Sequence, residues 1–166
     1  MNNKQRLRTI IFMAFVGLLL FACGSGSGDI VLVSGIASED PDNFIWAFGF
    51  EGEEATSPGP TITVRVGETV TITFKNETLR EDGTTDSQRH NLIIVSDKDM
   101  NSSAMELLWE AQVGGRLNYD EDIKTGESGS ITFTPDAVGD YFYLCVSQGH
   151  FTKGMWGRFI VLEVEE

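Results

Sequence analysis

Cys145, His150 and Met155 stand in the pattern Cys-x4-His-x4-Met, inside the stretch from Tyr143 to Gly157. A thiolate, an imidazole and a thioether on one short loop suit a single transition metal. Soft sulfur donors favour copper, and two imidazoles with one thiolate and a weak axial thioether describe an electron-transfer copper site. The loop supplies three of those four groups. The chain has two histidines, so the remaining imidazole has one candidate, His90. Taken singly, a buried cysteine is commonly inert core, a buried histidine a satisfied polar group and a methionine core filler. The joint pattern is what points to a metal.

The spacing shows how one loop can deliver three ligands. Cys145 ends a strand and points inward. Residues 146–149 turn the chain, and Gly149 permits a tight bend just before His150. A second bend at Gly154 brings Met155 under the metal, and Gly157 starts the return strand. His90 must come from a neighbouring strand end. The elements around these residues read as strands. Ile30 to Val33 is a short apolar run and Asn43 to Phe50 is rich in aromatics. Thr61 to Val66, Thr69 to Phe74, Leu92 to Val95, Ser130 to Thr134, Tyr141 to Cys145 and Arg158 to Val164 complete the set. Period-two alternation of β-branched and aromatic residues predicts half-buried strands, and seven or eight of them with regular turns predict a β-sandwich. Ser102 to Gln112 lacks β-branched residues and carries Ala104, Met105, Leu107, Leu108 and Ala111. With Asn101 or Ser102 to cap it and Gly114-Gly115 to end it, it is expected to be a short helix in a crossover. Thr78 to Arg89 is polar and reads as a loop. The Asn-x-Ser/Thr triplets at Asn76 and Asn101 are taken as coincidental.

The N-terminus carries a targeting signal. Lys4, Arg6 and Arg8 precede a mostly apolar run from Thr9 to Phe21, and Leu20-Phe-Ala-Cys23 follows. A basic start, a short apolar core and a small residue before the cut describe a secretory signal. The ending resembles a bacterial lipobox, which implies cleavage after residue 22 and lipidation of Cys23. The competing reading is a retained membrane anchor, but the apolar run falls short of the ~20 residues a span needs. Gly24 to Gly28 then reads as a flexible tether, and residues 29–166 as one domain. With Cys23 given to lipid, Cys145 is the only thiol left in the folded part. A lone cysteine in an exported chain implies a free reactive thiol, an intermolecular bridge or a metal ligand. The 25 acidic residues outweigh 12 basic ones, for a net charge of −13. That balance argues against nucleic acid, whose phosphates would find nothing to neutralise them. It suits a basic partner, although a merely solvated acidic surface would look the same.

Gly59 to Asn76, then His90-Asn91-Leu92, then Tyr141 to Gly157 resemble, in this order, the cupredoxins, the small blue (type 1) copper proteins. The resemblance runs from about Ser57 to Val164, and the ligand loop is most similar to that of the auracyanins. Plastocyanins place the cysteine closer to the histidine, and azurins have a shorter step to the methionine. The Asn43 to Phe50 segment and the Thr78 to Arg89 loop have no counterpart in the family pattern. The resemblance implies a Greek-key β-sandwich binding one copper ion, with His90, Cys145, His150 and Met155 as ligands. It implies that Asn91 ties the ligand loops together by hydrogen bonds and orients the thiolate. It implies a membrane-tethered carrier of single electrons on the extracytoplasmic face of a bacterial membrane, periplasmic or at the cell surface. The expected partner is a redox protein, such as a basic cytochrome-like one, with no small-molecule substrate. Copper storage or delivery, or a redox subunit of a larger complex, are the alternatives. Multicopper oxidases carry histidine on both sides of the cysteine and copper nitrite reductases just before it, whereas Leu144 and Val146 stand here. A catalytic role is therefore not expected. Phe151, Trp156 and Val146 are candidates either for an apolar contact patch or for a cover over the metal.

Overall fold

In the strand Val70–Lys75 the sequence alternates, and so does the burial: Val70, Ile72 and Phe74 point into the core while Thr71, Thr73 and Lys75 face outward. The computed structural model describes residues 28–165 except 81, 85–87, 100, 102–103 and 117. The expected signal peptide, Cys23 and residues 24–27 of the expected tether lie outside the described residues. Among the described residues no helix is long and apolar enough to cross a membrane.

Among the described residues nine strands form two sheets, the β-sandwich expected. They are β1 (Asp29–Ser38), β2 (Ile45–Phe50), β3 (Gly59–Arg65), β4 (Val70–Lys75), β5 (Leu92–Val95), β6 (Leu107–Val113), β7 (Ser128–Phe133), β8 (Gly139–Leu144) and β9 (Trp156–Leu162). One sheet has the order β2-β1-β4-β7, the other β3-β9-β8-β5-β6. β1 runs parallel to β4 and β3 parallel to β9, while the remaining neighbours are antiparallel. The outer face of the β4–β7 pair carries a ladder of hydroxyl pairs, Thr69–Thr134, Thr71–Thr132 and Thr73–Ser130, at 2.9–3.2 Å. Such cross-strand pairs are what a solvated sheet face uses to hold register.

The main core fills the space between the sheets with Leu32, Phe48, Ile72, Phe74, Ile62, Leu92, Ile94, Tyr143 and Phe159. Phe48 sets its ring edge against Phe74 and Tyr143, at centroid distances of 5.8 and 5.2 Å. Tyr143 satisfies its buried hydroxyl by donating to the Pro60 carbonyl at 2.6 Å. β5 is buried on both faces, which explains its unbroken apolar run. Leu92 and Ile94 join the main core, while Ile93 and Val95 join a second cluster with Met105, Leu144 and Val146.

The segment expected to be a crossover helix is a correction. Residues 107–112 of it belong to β6, which pairs with β5 through Leu92↔Val113, Ile93↔Gln112 and Val95↔Leu107. The free edge of a fully buried strand leaves N–H and C=O groups that need partners, and this demand outweighs a helix preference of a few tenths of a kcal/mol per residue. The register slips between Ile93 and Val95, and Trp109 and Glu110 take left-handed φ values of 52° and 54°. That bulge turns Trp109 onto Phe133, Tyr141 and Phe159, with its indole N–H donating to Asp136 at 2.8 Å. A short helix does occur in the following crossover, as a single 3-10 turn at Tyr119–Glu121 capped by Asn118.

Removing the ring that joins both sheets tests this packing. Phe48→Ala should cost about 3–5 kcal/mol of stability, the usual range for a buried aromatic truncated to alanine. Urea denaturation followed by tryptophan fluorescence measures it.

Candidate metal centre

Three strand ends and one loop build the centre. β8 ends at Leu144, so Cys145 is the first residue beyond it. His90 lies two residues before β5, held by paired backbone bonds to Ile123: its N–H donates to the Ile123 carbonyl at 3.1 Å and its carbonyl accepts at 2.8 Å. β5 and β8 are hydrogen-bonded neighbours with Ile93 opposite Leu144, which sets His90 and Cys145 side by side at one end of the sheet. The loop after Cys145 is a kinked 3-10 segment, Ser147–Lys153. The kink falls at Gln148 and Gly149, with φ of 46° and 75°. Gly154 closes it at φ 97°, donating its N–H to the His150 and Phe151 carbonyls. A Cβ at Gly154 would run into Ser57 Oγ and Ile45, so the second bend requires glycine on two counts.

Those bends bring the donors together. Cys145 Sγ lies 3.8 Å from His90 Nδ1 and 3.6 Å from His150 Nδ1, and the two nitrogens are 3.1 Å apart. His90, Cys145 and His150 form the cluster that could hold a metal ion, and all three are buried. A point inside this triangle lies about 2 Å from every corner, close to the ~2.0–2.1 Å and ~2.3 Å at which a first-row metal sits from imidazole nitrogen and thiolate sulfur. The donor set therefore fits a copper ion. Met155 is fully buried beside it. Its N–H donates to the His150 carbonyl and its own carbonyl accepts from Cys145 N–H, both at 3.1 Å. The sequence-derived set His90, Cys145, His150 and Met155 is thus brought to one place.

The electrostatics follow from burial. Desolvation, then the neighbouring His150, pushes the His90 imidazole down to about 3, so it is neutral at pH 7. Burial pushes the Cys145 thiol up to about 12, against the pull of backbone N–H groups of Asn91 and Ser147. An Nδ1 lone pair turned toward a metal leaves the His90 proton on Nε2, where Thr78 Oγ1 stands 3.3 Å away to accept it. Thr78 in turn donates to Asn76 Oδ1, which Ser34 also reaches, at 3.1 and 2.9 Å. The Asn76 amide donates to the carbonyls of Gln88 and Ile123, both at 2.9 Å. Asn76 is fully buried, so its glycosylation-like triplet is indeed without a surface asparagine.

Asn91 sits where the family resemblance placed it. Its backbone N–H points at Cys145 Sγ at 3.4 Å and its Oδ1 accepts from Val146 N–H at 2.9 Å, tying the two ligand segments together. Other residues came from nowhere in the sequence reading. Trp46 of β2 packs on both imidazoles, with ring centroids 4.9 Å from His90 and 4.7 Å from His150. Its only signal was the aromatic density of Asn43 to Phe50. Ser34 and Asp122 carry no local signal, and Asn76 and Thr78 mark only a triplet and the start of a polar loop. Val146 is buried, while half-buried Phe151 and Trp156 pack on the second cluster, with Lys98 Nζ 4.7 Å over the Trp156 ring.

A two-sheet sandwich that brings two imidazoles and a thiol to one buried point, with Met155 bonded beside them by its backbone, defines the frame of a copper protein. The family model for copper binding proteins of the plastocyanin/azurin family matches residues 57–162, and the chain belongs to that family. Auracyanin-A of Chloroflexus aurantiacus is 27% identical over 172 residues, spanning 97% of this chain and 99% of that protein. The crystal structure of dithionite-reduced auracyanin from Roseiflexus castenholzii superposes with a TM-score of 0.50 at 24% identity, covering 84% of this chain and 99% of that one. A multi-copper oxidase from Pseudomonas thermotolerans superposes at 0.56 with 16% identity. That match covers 86% of this chain but 31% of the oxidase, so it speaks for the fold alone.

The protonation states give a direct test. Near pH 7 the thiol carries a proton that ligation must expel, while His90 has none to lose. Copper loading should therefore release about one proton per ion, and affinity should rise about tenfold per pH unit around neutrality. An indicator dye in weak buffer counts the protons.

Proposed function

We propose that this protein is an electron carrier, tethered by lipid at Cys23 to the outer side of a bacterial membrane, with His90, Cys145, His150 and Met155 as its copper ligands. The observation that carries the reading is the convergence of three buried donors at 3.1–3.8 Å, with buried Met155 bonded by its backbone to Cys145 and His150. When bound, copper supplies a one-electron couple at a thiolate-linked centre.

The residues around the site do the rest. His90 and Cys145 are fully buried and His150 is 4% exposed, so water is kept from the donors. The Thr78 contact holds one imidazole, the Trp46 ring supports both, and Asn91 fixes the loop that carries the sulfur. Donors held this firmly cannot rearrange much between oxidation states, and a small rearrangement makes for fast electron exchange. A storage or delivery role would ask for ligands open to an incoming donor, and the burial of all three argues against it. Catalysis on oxygen or nitrite would need further copper, and both histidines of the chain are already in this cluster.

The lipid tether rests on the basic start, the apolar run and Leu20-Phe-Ala-Cys23. The partner is read from charge. A chain of net −13 favours a basic redox protein and accelerates its approach at low ionic strength.

Two outcomes are expected. The oxidised copper-loaded protein should be intensely blue and bleach on reduction, and Cys145→Ser should abolish the colour while circular dichroism still reports a folded sandwich. A colourless loaded protein would sink the assignment. In stopped-flow mixing with a basic cytochrome, the second-order rate should fall steeply with added salt; a flat dependence would remove the charge argument.

A further inference from the structure

The carboxylate of Asp122 is the one buried acidic group of the described chain, 4% exposed, and it stands beside the ligand loop. It ends the 3-10 turn Tyr119–Glu121 in the β6–β7 crossover, far from the ligands in sequence. One oxygen accepts from the Asn91 side-chain amide at 2.9 Å, the other from the Ser147 hydroxyl at 2.6 Å. The backbone N–H of Gly115 adds a third donor. Every one of these partners donates, which matches the acceptor-only character of an ionised carboxylate. Asn91 and Ser147 are also the residues whose backbone N–H groups bond the Cys145 sulfur. The same carboxylate therefore grips, by their side chains, both residues that hold the sulfur by their backbones.

We propose that Asp122 is a positioning residue for the Cys145 thiolate, and that its buried negative charge holds the copper couple at a lower potential than the site would otherwise have. This rests on the copper assignment above and goes beyond it. The clamp is direct. With Asn91 Nδ2 also donating to the Gly115 carbonyl at 2.6 Å, the Asn91 side chain is fixed at three points, and the crossover, the His90 strand end and the Cys145 loop become one unit. The charge argument is Coulombic. A carboxylate in a poorly solvated place favours the more positive oxidation state of a nearby metal, as it disfavours ionisation of the nearby thiol. Asp122 is felt in that sense at Cys145, and burial in turn raises its own carboxyl above the ordinary range. The cation that Asp122 feels is Arg89, whose guanidinium is engaged with the Tyr119 and Asp120 carbonyls and the Asp120 carboxylate, so among the described residues the Asp122 charge has no bonded counter-ion.

The test uses the copper-loaded protein and three variants, Asp122→Asn, Asp122→Glu and Ser147→Ala. Spectroelectrochemical titration at pH 7.5 reads the potential, and the thiolate-to-copper absorption band with the copper hyperfine splitting reads the sulfur bond. Asp122→Asn removes the charge and should raise the reduced-to-oxidised ratio at fixed ambient potential at least tenfold, ~59 mV for one electron. Asp122→Glu keeps the charge and should return most of that shift. Ser147→Ala keeps the charge but frees one sulfur-binding residue, so it should move the absorption band with a smaller change in potential. The proposal is overturned if Asp122→Asn stays within twofold of the parent ratio and its band and splitting are unchanged. Should Asp122→Asn fail to fold, an unmoved band in Ser147→Ala overturns it equally. A parent protein that binds no copper, or binds it without the blue band, overturns the copper assignment first and this inference with it; a blue parent with silent variants overturns this inference alone.

Discussion

Two imidazole nitrogens and a sulfur facing one another across 3.1–3.8 Å, all three residues buried, form an arrangement that a protein does not reach by default. Each is a polar group removed from solvent, and burial drives His90 and Cys145 toward their neutral forms, the imidazole downward and the thiol upward. Lone pairs aimed at a common point repel unless a cation or a shared proton lies between them. The scaffold must therefore impose the geometry, and much of the remaining structure serves that end. The β5–β8 ladder sets the spacing between His90 and Cys145, the His90–Ile123 backbone pair stops the histidine from sliding, and the bends at Gly149 and Gly154 return the loop so that His150 reaches the sulfur and the Met155 backbone bonds to Cys145 and His150.

The polar groups that hold the donors are themselves buried, and they are satisfied by one another. Ser34 of β1 and Asn76 and Thr78 beyond β4 form a closed set that ends on His90 Nε2, so one sheet fixes the outer nitrogen of a ligand borne by the other. On the opposite side Asn91, Asp122 and Ser147 form a second set around the sulfur. A partly satisfied buried network would be a liability, because each orphaned group carries its full desolvation cost. Here each of these side chains has a partner, which lets two polar clusters sit inside an apolar sandwich without unlocking it. Trp46 packs its ring against both imidazoles.

The four ligands were legible in the sequence because three of them lie within eleven residues and the fourth had no rival. The strands that alternate, such as β4 and β9, were legible for the same local reason: their neighbours two residues away share their environment. β6 was not, because Leu107 to Val113 has no period of two and owes its strand state to the buried edge of β5, a demand written in another part of the chain. The left-handed Trp109 and Glu110 break the alternation further, so pattern and structure disagree where the bulge lies. Trp46, Asp122 and the Thr78 network were illegible for a related reason. They act on the ligands through contacts of 12 to 104 residues' separation, and an isolated threonine, aspartate or tryptophan has no spacing rule to betray it.

The same sandwich is shared with proteins that do quite different chemistry, as the superposition on a third of a multi-copper oxidase shows. What the fold supplies is a rigid frame that can bring a β8 loop against the end of β5; what the frame does depends on the residues set there. Leu144 and Val146 flank the cysteine in this chain, and both are buried in the apolar cluster beside β5. A histidine at either position would have to displace that packing before it could reach outward to a further metal. The two apolar neighbours thus offer no metal ligand on either side of Cys145, and His150, at 4% exposure against 0% for His90 and Cys145, is the least buried of the three donors.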